Sequence, residues 1–356
     1  MQQTDYMMYT DNFAVYDGVQ SLLIKGDPAK CLAPFLSIVI PTFRRPDFLK
    51  IALDSALNQQ DAGIPYEVVV VDNEPPEGTP SPTQQMMESY GVPHLFYYRN
   101  GENLGIAGNW NRCAQLARGQ WVAYLHDDDI LLPDYIKRFQ RLLACKKGAD
   151  GLMALSYELK EGGTLEEAAG KARSRLSHLY DRLSPGRLLR LRRVDSHIKI
   201  GNVYGAPTCG SAFRRDALLA SGGFNPQFHP SFDWFFLYRF SGQYKLYRTM
   251  ERMGYYRVFV NESLSEKTKR AFVSDRVDFV NYAARSTRMG KLMRRLFENE
   301  QNQAIYHEAY SDYSGKQVED FFTPARMAER PVRKRLYRLL TQGYWHTRNY
   351  LSLFFG

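Results

Sequence analysis

Two short apolar runs, Phe35-Leu-Ser-Ile-Val-Ile40 and Tyr66-Glu-Val-Val-Val-Val71, are nearly unbroken and rich in β-branched side chains. That pattern predicts strands covered on both faces, as in the interior of a parallel sheet. Between them Pro46 suits the first turn of a helix, and Leu49, Leu53, Ala56 and Leu57 recur at helical spacing. A weaker run at Leu95–Tyr98 and a clear one at Trp121–Leu125 predict two more strands, joined by a helix over Asn109–Arg118 that Gly119 ends. Strands alternating with helices predict an open α/β sheet of Rossmann-like type, with ligands at the carboxyl ends of the strands.

Beyond Asp150 the alternation fades. Residues 160–200 read as a basic helical insertion, and 201–240 mix short apolar runs with Gly205, Pro207, Gly210, Gly222, Gly223 and Pro226. From about Lys267 the pattern is helical to the end, while residues 1–34 form a polar extension with no readable chemistry. The expected organisation is therefore an N-terminal extension (1–34), a catalytic domain (35–265) and a basic helical C-terminal region (266–356). Within the domain a first half, 35–133, is set apart from a second, 134–265.

Composition adds exclusions. With 356 residues, 44% apolar and 24% charged, the chain has material for one large or two modest domains and is not disordered throughout. Its four cysteines include no Cys-x-x-Cys pair, which argues against a zinc ribbon or a disulfide scaffold. No basic segment followed by an apolar one opens the chain, and no apolar run has membrane-spanning length, so a cytoplasmic protein is expected. The net charge of +9 is concentrated: Lys171–Lys199 carries +7 and Arg326–Arg348 carries +6, leaving the remainder net negative. Such patches suit acidic partners or are solvated helix faces. In the second, Val332, Leu336, Leu339 and Leu340 recur at helical spacing among Arg330, Arg333, Lys334, Arg335 and Arg338. A helix of that kind either lies peripherally on an anionic membrane or packs on the rest of the chain.

The sharpest chemical signal is His126-Asp127-Asp128-Asp129, directly after the fourth strand. Adjacent carboxylates repel one another, so they are expected either in a solvated turn or around a hard divalent cation, Mn²⁺ or Mg²⁺. Asp72-Asn73 ends the second strand on the same sheet edge, where a carboxylate can accept hydrogen bonds from a ribose or a pyrimidine imide. Motifs for P-loop, dinucleotide, zinc-protease and nucleophile-elbow chemistry are missing. The basic patches also lack the interleaved aromatics of an RNA-binding module, so no nucleic acid is expected.

Ser37-Ile-Val-Ile-Pro-Thr42, Glu67-Val-Val-Val-Val-Asp72-Asn73, Asn103-Leu-Gly-Ile-Ala-Gly-Asn-Trp-Asn111 and Leu125-His-Asp-Asp-Asp-Ile130 together resemble a bacterial family 2 glycosyltransferase of the surface-polysaccharide type. The resemblance implies the GT-A fold and a nucleoside diphosphate sugar donor, by default a UDP-sugar, with dTDP-rhamnose as the alternative. It assigns the pyrimidine to Pro41, Thr42, Phe43 and Asp72, and places Asn103 and Asn109 beside the nucleotide. It implies ribose contact by Asp127 and metal coordination by Asp128 with Asp129, an Asp127-x-Asp129 register remaining open. After Gly222-Gly-Phe224, Asp233 in Phe232-Asp-Trp-Phe235 matches the family's catalytic base, and Gly210, Ser211 and Trp234 fall where an acceptor glycan or lipid-linked glycan would bind. One departure stands out: Phe259 occupies the slot where the family often has a histidine metal ligand. The expected activity is an inverting sugar transfer; a non-catalytic nucleotide or polyanion binder and a nucleotidyltransferase are the competing readings.

Overall fold

The computed structural model describes residues 5–6, 8–31, 33–171, 191–194, 208–258, 265–286, 288–309, 330–337 and 339–340. Four consecutive parallel strands form the core of the sheet: β2 (Leu36–Thr42), β3 (Tyr66–Asp72), β4 (Leu95–Asn100) and β5 (Trp121–Tyr124). Their alternate side chains feed two different cores. Ile38, Ile40, Val68 and Val70 face α1 (Pro46–Leu57), while Val39, Val69 and Val71 face α3 (Gly105–Leu116). This two-sided burial is why the strands read as continuous apolar runs.

Register decides where the chemistry goes. Thr42 pairs with Asp72, so β2 and β3 end flush, and Leu125 N–H donates to the Val39 carbonyl before the chain turns into His126. The helix expected over 109–118 begins earlier, at Gly105, and stops at Leu116. At its start Asn103 Oδ1 accepts from Gly105 N–H at 2.9 Å. At its end Arg118 N–H turns to buried Glu67 and Gly119 N–H to Ser37 Oγ, both at 2.8 Å. Tertiary acceptors therefore end this helix before the glycine does.

Beyond β5 the sheet becomes mixed. Its order is β1-β4-β3-β2-β5-β9-β7-β10-β6, with β8 (Leu191–Arg193) beside β10 (Leu246–Arg257). Here β1 is Ser21–Lys25, β6 Ile130–Leu131, β7 Gly151–Leu159 and β9 Ala212–Arg214. β9 runs antiparallel between β5 and β7. The expected insertion at 160–200 shows a short helix, Leu165–Lys171, and strand β8; its remaining basic residues lie outside the described set.

The N-terminal extension, for which the sequence showed no element, is built into the molecule. Strand β1 covers the open edge of β4 in antiparallel register, which removes a row of unpaired backbone groups. Upstream, Tyr6 stacks on Phe235 with ring centroids 4.5 Å apart, and Asn12 bonds the Gly222 carbonyl through both its backbone and its side chain. Gly222 and Gly223 both have positive φ, and a Cβ on Gly222 would lie 2.2 Å from the Thr10 carbonyl oxygen. The glycine pair is required by both its backbone conformation and the strap crossing it. Asn111 holds the next residue from below, its side chain accepting from Phe224 N–H and donating to Phe224 O, each at 2.8 Å.

The C-terminal region is helical where described: Glu266–Ser286, Arg288–Ala309 and residues 331–337. The first two pack against each other through Val273, Phe279, Val280, Ile305 and Tyr306, in a core shared with Phe235 and Tyr238.

Candidate active site at the sheet edge

A cleft of ≈ 490 Å³ opens at the carboxyl ends of β2 and β5. One wall comes from the turn after β2 (Pro41, Thr42, Phe43 and Arg45), with Asn73, Ile106, Asn109 and Trp110 beside it. His126, Asp127 and Asp128 form the floor, and Phe232 with Asp233 the far side. The site thus joins residues from positions 41 to 272 of the chain.

The acidic motif is held rather than solvated. Asp127 Oδ2 accepts from Thr42 Oγ1 at 2.8 Å, and Asp128 Oδ2 lies 3.0 Å from the Arg45 guanidinium. Asp129 points the other way: its Oδ1 accepts from Arg257 N–H at 2.9 Å, and its Oδ2 lies 3.1 Å from His126 Nδ1. That Oδ2 is buried and makes no hydrogen bond among the described residues. His126 is fixed on its other nitrogen by Thr208 Oγ1 at 2.8 Å and on its face by Trp110, 5.1 Å between centroids. Burial, reinforced by the neighbouring Asp128 charge, pushes the Asp127 carboxyl up to about 6, and burial also raises Asp128. Burial opposes a charge on His126, but Asp129, Asp128 and Asp233 outweigh it and push its pKa up to about 9.

Ligand atoms of His126, Asp128 and Asp129 lie within 4.8 Å of one another. Two carboxylates and an imidazole gathered this closely suit a divalent cation that tolerates mixed oxygen and nitrogen donors, which would take the place of the His126 proton that now faces Asp129. His126 was not among the expected ligands; its place directly before three acids was the signal. Phe259, which occupies the slot of the family histidine, lies outside the described residues.

Asp233 sits in the first turn of the helix Phe232–Gln243, its Oδ1 accepting from Trp234 N–H at 2.7 Å. Burial raises its pKa, partly countered by that hydrogen bond and by the charge of His126. The carboxylate therefore borders the cleft in an apolar setting within electrostatic reach of the metal-ligand candidates.

Other expected residues fall elsewhere. Asp72 is fully buried beneath the cleft, accepting from Tyr97 Oη at 2.8 Å and Glu74 N–H at 3.0 Å, while its neighbour Asn73 forms the lining. Asn109 lines the cleft, but its amide is spent on the Val71 carbonyl and Asn100. Asn103 is exposed and bonds Asn73 Nδ2 at 2.7 Å, so it shapes the loop from outside the lining. Gly210 and Ser211 are buried in the sheet beside Tyr124, with which they exchange backbone hydrogen bonds, while Gly210 O accepts from Tyr135 Oη and Ser211 Oγ from Ala154 N–H. Trp234 packs edge-on against Phe279, 4.5 Å between centroids, and does not line the cleft. The side of the cleft that carries Asp233 is lined by His229, Pro230 and Tyr256, and by Thr268 and Phe272 from the C-terminal helix. Thr268 and Phe272 carried no signal in the sequence.

Comparison with known proteins agrees with this architecture. A solved mannosyltransferase from Pyrobaculum calidifontis, in complex with GDP-Man and Mn²⁺, superposes with a TM-score of 0.51 at 17% identity, covering 93% of this chain and 90% of that one. The likeness shows the fold, which is GT-A. An uncharacterized protein of Mycobacterium tuberculosis is 29% identical over 218 residues, 61% of this chain and 64% of that protein. Abequosyltransferase RfbV of Salmonella typhimurium is 31% identical over 108 residues, 30% of this chain and 32% of its own. The matches thus span less than two thirds of these curated relatives. The family model described as glycosyl transferase family 2 matches residues 37–220, from the start of β2 through the helix Arg215–Ala220 that follows β9. The chain belongs to glycosyl transferase family 2.

Proposed function

We propose that the protein transfers a sugar from a nucleoside diphosphate sugar to a hydroxyl of a glycan or lipid-linked glycan, with inversion at the anomeric carbon, in assembly of a bacterial surface polysaccharide. The abequosyltransferase relative supports the process, and the cleft supports the chemistry. The observation that carries the reading is one cleft with two separate acidic centres: Asp127 and Asp128 on the strand edge, Asp233 on the opposite helix.

In this reading Pro41, Thr42 and Phe43 form the nucleotide wall, Phe43 offering a ring that is 39% exposed. Asp127, aligned by Thr42, faces the ribose. Asp72 acts from below by fixing the turn that presents Asn73. Asp128 and Asp129, joined by His126, would hold Mn²⁺ or Mg²⁺, which when bound neutralises charge on the diphosphate leaving group. Asp233 accepts the proton of the acceptor hydroxyl as its oxygen attacks the anomeric carbon from the face opposite the departing diphosphate. The raised pKa of Asp233 makes it a stronger base than an exposed carboxylate. An inverting displacement needs no covalent sugar–enzyme intermediate, so a single base suffices.

The test separates proton transfer from binding. Asp233→Asn should lower kcat by about 10²–10⁴-fold while leaving nucleotide-sugar affinity, measured calorimetrically, within about twofold of wild type. Turnover close to wild type would remove Asp233 from this role.

A further inference from the structure

The C-terminal helices carry a surface that sugar transfer does not use. On the helix Arg288–Ala309, Met289, Leu292 and Leu296 recur at helical spacing and are 41%, 49% and 40% exposed. Arg288, Lys291 and Arg295 repeat the same spacing one position earlier and are exposed as well. The helix at 331–337 repeats the arrangement: Val332 is 79% and Leu336 48% exposed, followed by Leu339 and Leu340 at 67% and 44%. The two segments meet through their inner faces, where Met293, Phe297 and Tyr337 form a small core and Arg333 donates to the Leu296 carbonyl. Residues 288–297 and 330–340 together contain nine Lys or Arg and no Asp or Glu.

We infer that this pair of helices is a docking face for an anionic lipid bilayer, its leucine stripes entering the headgroup boundary and its basic stripes meeting lipid phosphates. The charge complementarity selects the occupant. A second copy of the chain would bring cations against cations, and a nucleic acid would leave the leucines without a partner. Each stripe has the form of a helix lying in the interface plane: apolar side chains on one line, Lys and Arg beside them. No described helix is long and apolar enough to cross a membrane, so contact by these helices is peripheral.

The face is continuous with the cleft. The helix Glu266–Ser286 lines the acceptor side through Thr268 and Phe272 and packs on the helix Arg288–Ala309, with Arg294 Nε bonding Asn281 Oδ1 at 3.2 Å. A protein seated by these helices holds its acceptor wall one helix away from the lipid surface.

Flotation of the full-length protein with vesicles tests this without any sugar donor, so its outcome is independent of the catalytic reading. Wild type should float with vesicles containing phosphatidylglycerol and stay behind with pure phosphatidylcholine. Leu292→Glu combined with Leu296→Glu should weaken the partition at least about tenfold, with unchanged thermal unfolding because both side chains already meet solvent. Three results would overturn the inference: wild type that never floats, equal flotation with both vesicle types, or a double variant that floats like wild type, which would mean charge attraction alone. A concentration-dependent dimer in sedimentation, abolished by the same variant and without vesicle binding, would assign the face to a second copy instead.

Discussion

The two walls of the cleft are built differently. The wall proposed for the nucleotide rises from the ends of adjacent parallel strands: Thr42, Asp72 and His126 each lie at or just past the end of a buried apolar run, and the pairing of β2 with β3 and β5 sets them on one edge. The opposite wall, proposed as the acceptor wall, is assembled from distant segments. Asp233 is carried on a helix held by Phe224, Phe232 and Phe236, behind a glycine turn pinned by Thr10, Asn12 and Asn111, and faced by Thr268 and Phe272 from a C-terminal helix. The contrast teaches where change is tolerated: a wall made by strand register depends on local backbone, whereas a wall made by packing fails when any one remote support is lost.

The comparison breaks most severely at the metal-ligand candidates. Asp128→Asn should lower turnover at least about a hundredfold and weaken Mn²⁺ binding followed by calorimetry, with folding preserved. Equal Mn²⁺ affinity in the variant would take the ion away from this edge.

A pair of glycines sharpens the same contrast. Gly222 and Gly105 both have positive φ, yet a Cβ on Gly222 collides with the Thr10 backbone while one on Gly105 meets nothing within 4 Å. Gly222→Ala should therefore cost about 2–4 kcal/mol in urea unfolding, against about 1 kcal/mol for Gly105→Ala. Similar costs for both would show that the N-terminal strap contributes nothing to the acceptor wall.

The smallest effect is in pH. A carboxyl whose folded pKa is about 6, above an unfolded value near 3.9, binds more protons in the folded state over that interval. Its contribution to stability falls as pH rises through 6 and recovers as pH falls below it. Between pH 7.5 and 5, metal-free wild type should gain about 1 kcal/mol relative to Asp127→Asn, read from thermal unfolding of both proteins in chelator. A difference that stays flat over this range would mean that Asp127 is not strained by burial beside Asp128.

The legibility of the site follows the same division. The acidic triad was readable because the apolar run preceding it marks a strand end, whereas Pro41, Thr42 and Phe43 entered through the likeness to a known family. Asp233 was found only through the likeness of its glycine turn and aromatic context to a known family; its own residues predict nothing more than a helix start. Gly210 and Ser211 look like a binding loop in sequence, but they are buried in the sheet, their polar atoms spent on Tyr124, Tyr135 and Ala154. Asp72 ends its strand at the expected edge, yet Tyr97 from the neighbouring strand turns its carboxylate away from the cleft.

What the sequence by itself determined is the parallel core, the edge that carries the acids and the choice of family, since each follows from periodicity and from residues adjacent along the chain. Tertiary structure alone decided that the first residues brace the acceptor wall, that His126 joins the metal-ligand group, and that a C-terminal helix lines the cleft. Those arrangements rest on contacts between segments up to about 270 residues apart, where side-chain packing and hydrogen-bond geometry, rather than spacing, choose the partners.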